Sequence, residues 1–204
     1  MTAGKERSPA PQLVDIDRLV DIMERREIDA VVASSHQNLY YLSSLNAVAQ
    51  KSDEPRPFAV VISRHAPDHP ILVMPEYYTG ALARLGGWIK DVRPYRSMIS
   101  PLDRAAQKSD LDRFVPQTVD NAPWIATARG AYAETMIDSL NSAFTDLKLS
   151  GKRVAFDDAR LGMRMLDDID RLADGFGLLM STRSVKSPVE IDMLRKATAI
   201  NQSA

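Results

Sequence analysis

The stretch VDIDRLVDIMERREIDAVVA, residues 14–33, decides the fold class because its hydrophobic period changes partway along. Its first part, Val14 to Glu27, carries charged residues between apolar ones and predicts an amphipathic helix. The apolar positions recur at helical spacing: Ile16, Leu19, Val20 and Met23. The second part, Ile28 to Ala33, is short and rich in β-branched residues, which is typical of a strand buried on both faces. A helix followed by a buried strand predicts an α/β domain.

The next segments extend this α/β order. Phe58 to Ile62 and Ile71 to Met74 are apolar, strand-like runs, and the turn from Ser63 to Pro70 between them predicts a hairpin. Glu76 to Leu85 has helical spacing and ends at a glycine pair, and Trp88 to Val92 then predicts a further strand. The expected architecture is a mixed β-sheet flanked by helices.

The second half of the chain has a less regular pattern. Pro94 to Pro123 has no clear period and predicts a long connection with one short helix. Ala131 to Leu147 predicts a helix, Lys152 to Phe156 a strand, Leu161 to Ala173 a helix, and Leu178 to Val185 a strand.

The sequence predicts a tail at the amino terminus and a helix at the carboxyl terminus. Residues 1–12 are polar and contain prolines, so we expect a flexible tail. The last helix has a well-marked start, in which Ser187 caps, Pro188 occupies the first turn and Glu190 complements the helix dipole. It has no stop signal before Ala204, so we expect the chain to end within it. The expected organisation is a domain over residues 13–186 followed by a linker helix over 187–204.

The composition excludes several classes of function. Lys and Arg number 26 against 27 Asp and Glu, and this near-neutral balance disfavours nucleic acid and anionic membranes as partners. No apolar run reaches the roughly 20 residues of a membrane-spanning helix, and the polar start lacks a signal-peptide pattern, so a cytoplasmic location is expected. Cysteine is absent, which excludes disulfides, thiolate nucleophiles and Cys-ligated metals.

Two stretches carry a resemblance to a known family. MSTRSVKSPVEIDMLRKA, residues 180–197, resembles the linker of the creatinase, prolidase and aminopeptidase P family, in which R-x-x-K-x-x-x-E-(I/L)-x-x-(L/M)-(R/K)-x-A joins two domains. EIDAVVA, residues 27–33, with NLYYLS, residues 38–43, is similar to the family's G-hydrophobic-D-A … N-x-x-Y-L-(S/T)-G segment. Glu27 and Ser44 stand where that segment has glycine. The resemblance identifies the chain as the amino-terminal domain of such a protein.

The resemblance implies that the chemistry belongs to an absent domain. The family's catalytic domain has a pita-bread fold and binds its metals through two Asp, one His and two Glu that follow the linker. We therefore expect no catalytic residue, metal ligand or cofactor in this chain, and Mn, Co or Zn in the catalytic domain. The implied partners are that C-terminal catalytic domain, a second subunit in a homodimer, and a small peptide or a guanidino or amide substrate.

The function implied for this chain is non-catalytic: it contributes to oligomerisation and to substrate access at a partner subunit's active site. The alternative is a catalytically inactive protein-interaction module with the same fold. Whether the parent protein is a peptidase or a creatinase-like hydrolase stays open, because the family divides on residues outside this chain.

Two residues are candidates for substrate contact. His36 follows a buried strand, where α/β sheets place functional loops, although an ordinary loop role also fits it. Arg56 stands before the second strand, and in creatinase, which this region resembles, an arginine there crosses to the other subunit and holds the substrate carboxylate. Its planar fork suits a carboxylate, and the alternative is an exposed loop arginine. Asn38 is expected to cap the turn that begins at Leu39.

Three other groups are assigned structural roles. His65 and His69 with the Asp between them are expected in a solvated turn rather than at a metal. The adjacent acids 157–158 and 167–168 are expected to cap helices or face solvent, because neighbours in sequence point different ways. Gly175-Phe-Gly177 lacks the full phosphate-loop pattern and is not expected between a strand and a helix.

Overall fold

A six-stranded sheet with helices on both faces forms the centre of this computed structural model, which describes residues 10–46 and 56–203. The strand order is β4-β3-β2-β1-β5-β6. This arrangement confirms the expected mixed α/β fold class. Most of the predicted flexible tail, residues 1–9, lies outside the described residues.

Helices and strands are interspersed along the chain. The strands are β1 Ala30–Ala33, β2 Ala59–Ser63, β3 Ala66–Pro75, β4 Asp91–Tyr95, β5 Val154–Phe156 and β6 Leu172–Asp174. The helices are α1 Ile16–Arg25, α2 His36–Ser43, α3 Thr79–Leu85, α4 Lys108–Asp112, α5 Pro123–Gly130, α6 Met136–Asp146, α7 Ala159–Met165, α8 Gly175–Arg183 and α9 Pro188–Gln202.

Strand direction brings most strand ends to one side of the sheet. β1 pairs in parallel with β5 and antiparallel with β2, and β2 and β3 form the predicted antiparallel hairpin. β4 is parallel to β3, and β6 is parallel to β5. Five of the six described strands therefore end at the same side, which we call the carboxyl edge, and β2 begins there.

The two faces of the sheet bury separate cores, because successive side chains of a strand point to opposite faces. One face packs against α1, α2 and α8, and its buried strand residues include Val31, Ala33, Val60 and Ile62. The other packs against α6 and α7 and includes Ala30, Val32, Val61 and Val73. Burial on both faces explains why β1 reads as an uninterrupted run of small and β-branched residues.

The strand predicted at Leu178 to Val185 is wrong, because Leu178 to Arg183 belong to helix α8. Asp174 caps the helix by accepting a hydrogen bond from the backbone N–H of Gly177 at 2.9 Å. Leu178, Leu179 and Thr182 are its buried residues at helical spacing. Periodicity alone does not separate a short buried helix from a strand, and here burial against the sheet decides.

The helix predicted from Leu161 to Ala173 is also too long. α7 ends at Met165, and residues 172–174 form the edge strand β6, which pairs with β5 through Val154–Leu172 and Ala155–Ala173. A strand of three residues is too short for an alternation of polar and apolar residues to be recognised in the sequence. Its hydrogen bonds come from pairing with the rest of the sheet.

Several boundaries in the middle of the chain also differ from the prediction. β4 begins at Asp91 rather than Trp88, and the segment expected to hold one short helix contains both α4 and the start of α5. α6 begins at Met136 rather than Ala131, because Thr135 and Asp138 form a capping box there. The turn between β2 and β3 is shorter than the predicted turn from Ser63 to Pro70, since β3 already starts at Ala66.

A buried carboxylate at the amino edge ties three strands together. Asp29, which is 8% exposed, accepts hydrogen bonds from Arg64 Nη2 at 2.8 Å, from the backbone N–H of Arg153 at 3.1 Å, and contacts His65 Nε2 at 2.9 Å. Burial raises the pKa of Asp29, but the hydrogen bonds from His65, Arg64 and Arg153 outweigh it and lower the pKa to about 2. The ionised form therefore stabilises the fold.

We expect Asp29→Asn to lower the free energy of unfolding by about 2 kcal/mol at neutral pH, since the folded pKa lies well below the unfolded one. A depressed pKa contributes stability above the unfolded pKa, and this contribution is lost as pH falls through about 2. Urea unfolding of both proteins between pH 7 and acid should show the difference shrinking on acidification. Asp68→Asn, an exposed change on the same hairpin, is the control and should have little effect. A pH-independent difference would contradict the assignment.

Candidate functional site at the carboxyl edge

The connections after β1 and β5 leave the sheet in opposite directions. α2, which follows β1, packs on the same face as α1, whereas α7, which follows β5, packs on the other face. In open α/β sheets, ligands bind at the carboxyl edge where neighbouring connections diverge in this way. The residues after β1 and β5 therefore form the candidate site.

Asp157, directly after β5, fills the crevice between the two diverging connections. Its Oδ1 accepts hydrogen bonds from the backbone N–H of Ser34 at 2.8 Å and from Ser34 Oγ at 3.3 Å. Its Oδ2 accepts from the backbone N–H of Ser35 at 3.0 Å, from Ser35 Oγ, and from Asn38 Nδ2 at 3.0 Å. Asp157 is thus an anchor for the β1–α2 connection, and its oxygens are committed to protein donors.

Asn38 does not have the capping role that was predicted for it. It lies inside α2, is 1% exposed, and its Oδ1 accepts a hydrogen bond from Arg183 Nη1 of α8 at 3.3 Å. The guanidinium of Arg183 also lies 5.7 Å from the ring centre of Tyr41. Asn38 therefore links α8 to Asp157. Tyr41 itself is buried, at 4% exposure.

Beside Asp157 is a cavity of about 380 Å³, which we call the switch-point cavity. Its charged lining residues are Arg56, Asp158, Arg160 and Arg164, and Met136 and Leu161 are among its apolar ones. The cavity combines side chains from the start of β2, the β5–α7 connection and the first turn of α6. Strand pairing brings these distant segments together.

Arg56 lies in this cavity rather than on a fully exposed loop. Its Nη1 is 3.5 Å from Asp158 Oδ2, and its side chain is 26% exposed. Asp158 also caps α7, accepting from the backbone N–H of Arg160 at 3.1 Å and from Arg160 Nε at 3.2 Å. Burial raises the pKa of Asp158, but the hydrogen bond from Arg160 and the charge of Arg56 bring it below the usual value. The capping role predicted for this acid is confirmed.

The structure does not bring His36 and Arg56 to one cavity. His36 is the first residue of α2, and within the described residues it is not among those that line the switch-point cavity. Its Nδ1 is buried, with no hydrogen-bond partner in the described part of the chain. The substrate-contact role of both residues stays a prediction.

The other histidines lie elsewhere and apart from each other. His65 Nε2 contacts Asp29, whereas His69 Nε2 contacts Asp91 at 2.9 Å, so each is committed to a different carboxylate. The prediction of a solvated turn is wrong for His69, which is part of β3. Residues 10–46 and 56–203 contain no group of three or more His, Cys, Asp or Glu that could hold a metal ion.

The glycines at 175 and 177 do lie between a strand and a helix, contrary to the prediction. The carboxylate of Asp174 already accepts the Gly177 N–H at the start of α8. A Cβ on Gly175 would lie 2.5 Å from the carbonyl carbon of Phe156, so only glycine fits this close approach of α8 to β5. Packing and capping account for both residues.

The sequence did hold a signal for this site. Ser34 and Ser35 follow one predicted buried strand, and Asp157 and Asp158 follow another. Parallel pairing of those strands would have placed the four residues together, but the pairing itself was not predicted. Nothing in the sequence marked Arg160 or Arg164 as site residues. Arg160 directly precedes a predicted helix, and Arg164 lies on it.

The family comparison matches the domain described above. The family model of the creatinase/prolidase N-terminal domain matches residues 16–195. The chain therefore belongs to the creatinase/prolidase N-terminal domain family, which confirms the resemblance of the two stretches quoted from the sequence. Among curated proteins, none matches this sequence.

The chain is similar to several solved structures. One is an Xaa-Pro aminopeptidase P from Streptococcus thermophilus, with 12% identity, a TM-score of 0.45, and coverage of 82% of this chain and 94% of that one. An Xaa-Pro aminopeptidase from Streptococcus pyogenes has 13% identity, a TM-score of 0.44 and the same coverage. The prolidase from Pyrococcus horikoshii OT3 has 15% identity and a TM-score of 0.31, covering 63% of this chain and 34% of that one.

No helix within residues 10–46 and 56–203 is both long enough and apolar enough to cross a bilayer.

We expect Asp157→Ala to lower the free energy of unfolding by about 2–4 kcal/mol, because it leaves several N–H and hydroxyl donors of the β1–α2 connection without their acceptor. Asp167→Ala removes an exposed carboxylate from the connection between α7 and β6 and should change stability by less than about 0.5 kcal/mol. Urea unfolding measures both. Equal stability of the Asp157 variant and the wild type would contradict the anchoring role.

Proposed function

We propose that this chain is the non-catalytic amino-terminal domain of a creatinase-like or Xaa-Pro-peptidase-like metallohydrolase. Family membership over residues 16–195 supports this proposal. In it, the reaction and its metal, Mn, Co or Zn, belong to a C-terminal catalytic domain. The amino-terminal domain contributes to a homodimer and to substrate access at the partner subunit's active site.

The exposed surface of α9 is the observation that carries this proposal. A capping box of Ser187 and Glu190 starts the helix, yet none of its fifteen residues is buried. Its large apolar side chains are Ile191 at 39%, Met193 at 41%, Leu194 at 54% and Ile200 at 68% exposure. A helix with so much exposed apolar surface suits contact with a further domain. In this proposal, the domain that contacts α9 is the C-terminal catalytic domain.

The position of Arg56 supports a role in substrate access. Within the described residues, the 3.5 Å contact with Asp158 uses only part of the Arg56 guanidinium, which has five N–H donors. A substrate carboxylate could therefore accept a pair of charge-assisted hydrogen bonds without breaking the internal contact. His36 has an unpartnered ring nitrogen among the described residues and is the second proposed substrate contact.

We expect the purified 204-residue chain to have no peptidase or creatinase activity, with or without added Mn²⁺, Co²⁺ or Zn²⁺, because metal-activated water needs ligands that we assign to the catalytic domain. The measurement is cleavage of a Gly-Pro or Xaa-Pro peptide and of creatine. The control is the parent protein that includes the catalytic domain. Robust metal-dependent turnover by the 204-residue chain would contradict the non-catalytic assignment.

In the parent dimer, we expect Arg56→Ala to leave folding nearly unchanged and to lower kcat/KM for a carboxylate-bearing substrate by a factor equivalent to about 1.5–3 kcal/mol, the usual range for a hydrogen bond to a charged group. Arg56→Lys should recover only part of the lost kcat/KM, since the ammonium group of lysine cannot form the paired hydrogen bonds of a planar guanidinium. For the amide analogue of the substrate, Arg56→Ala should lower kcat/KM much less. Unchanged kcat/KM for both substrates would exclude the substrate contact.

A second candidate function is a catalytically inactive interaction module. The loop between β4 and α4 favours it, because Met98 is 88%, Ile99 55% and Leu102 64% exposed. Such apolar side chains on a loop suit a protein partner. The downstream reading frame distinguishes the two candidates: two Asp, one His and two Glu in order support the enzyme, and their loss supports the interaction module.

A further inference from the structure

Among the described residues that line the switch-point cavity, guanidinium groups outnumber carboxylates. Three guanidinium groups line it, from Arg56, Arg160 and Arg164, and the lining contains one carboxylate, Asp158. Arg56 and Arg160 share that carboxylate, at 3.5 and 3.2 Å. Arg164 has no carboxylate partner in the described part of the chain. The nearby Asp157 uses both oxygens on donors of the β1–α2 connection, so no carboxylate among the described residues neutralises the positive charge of Arg164.

The apolar part of the lining sets the kind of anion that would fit. Met136 and Ile137 from α6 and Leu161 from α7 contribute to its walls, together with Pro57 before β2. A bare inorganic anion would leave these walls in contact with water. A ligand with a charged head and an apolar body would cover the walls and neutralise the charge.

The two uncharged polar residues of the lining, Ser34 and Tyr95, do not oppose an anion, and the Ser34 hydroxyl donates to Asp157. Tyr95 donates its hydroxyl to the carbonyl oxygen of Pro57 at 2.8 Å. Burial raises the pKa of Tyr95, so its phenol stays neutral and adds no negative charge. The volume of about 380 Å³ lies at the small end of ligand sites. This size suits an acylated amino acid or a dipeptide rather than a larger chain.

We propose that the switch-point cavity binds a small organic carboxylate with an apolar side chain, using Arg164 and Arg56 for the carboxylate and the side chains of α6 and α7 for the apolar body. Arg160 holds Asp158 at the start of α7. This binding belongs to a single chain. It does not depend on the proposed contact of Arg56 with a partner subunit's substrate, and it is tested without the catalytic domain.

The test is an NMR titration of the isotope-labelled 204-residue chain with N-acetyl-L-leucine. The expected dissociation constant is on the order of 1 mM, given the few atoms of the ligand. N-acetyl-L-leucinamide lacks the charge and acetate lacks the apolar body, so both should bind at least about tenfold more weakly. Saturable shifts confined to residues of the cavity would support the site.

Arg164→Gln provides the matched variant, because this exposed helix residue can be changed without disturbing the core. It should weaken binding of N-acetyl-L-leucine by about fivefold to tenfold, the loss expected for a partly exposed charged hydrogen bond. Arg171→Gln, at an arginine outside the cavity, should leave binding unchanged. The proposal is overturned if the amide binds as well as the acid, if the Arg171 variant weakens binding equally, or if no saturation appears by about 20 mM. None of these results would affect the proposed accessory role.

Discussion

The parallel pairing of β1 with β5 is the constraint on which the rest of the structure depends. It joins the hairpin half of the sheet to the half formed by β5 and β6, across more than 100 residues of sequence. The pairing has only three residue pairs, Ala30–Val154, Val31–Ala155 and Val32–Phe156. Closing so long a loop has an entropic cost that three pairs alone offset poorly.

A carboxylate closes this short ladder at each end. At the amino edge, Asp29 accepts the backbone N–H of Arg153, which directly precedes β5. At the carboxyl edge, Asp157 follows β5 and accepts the backbone N–H of Ser34, which directly follows β1. Each acid is thus a side-chain extension of the β1–β5 pairing. Hydrogen bonds of this type, to a charged acceptor, are worth more than ordinary backbone bonds.

The same geometry explains why two adjacent acids have different roles. Asp157 points into the β1–α2 connection, whereas Asp158 points toward the start of α7 and the switch-point cavity. Successive residues of an extended segment face opposite ways, so one acid closes the crevice while its neighbour meets Arg56. The structural anchor and the candidate binding surface therefore share one connection. A change in the anchor would also displace the cavity.

The sequence by itself determined the elements whose signals are local. The period of residues 14–33 predicted α1 and β1, the two apolar runs after Arg56 predicted the β2–β3 hairpin, and Ser187 with Pro188 marked the start of α9. Two short stretches also identified the family. Only the tertiary structure decided that residues 175–183 form a helix and residues 172–174 a strand, because short apolar segments take the conformation that their burial allows. It alone decided that Asp157 meets Ser34 and that Arg56 meets Asp158, since strand pairing, which no local pattern encodes, brings residues so far apart in sequence into contact.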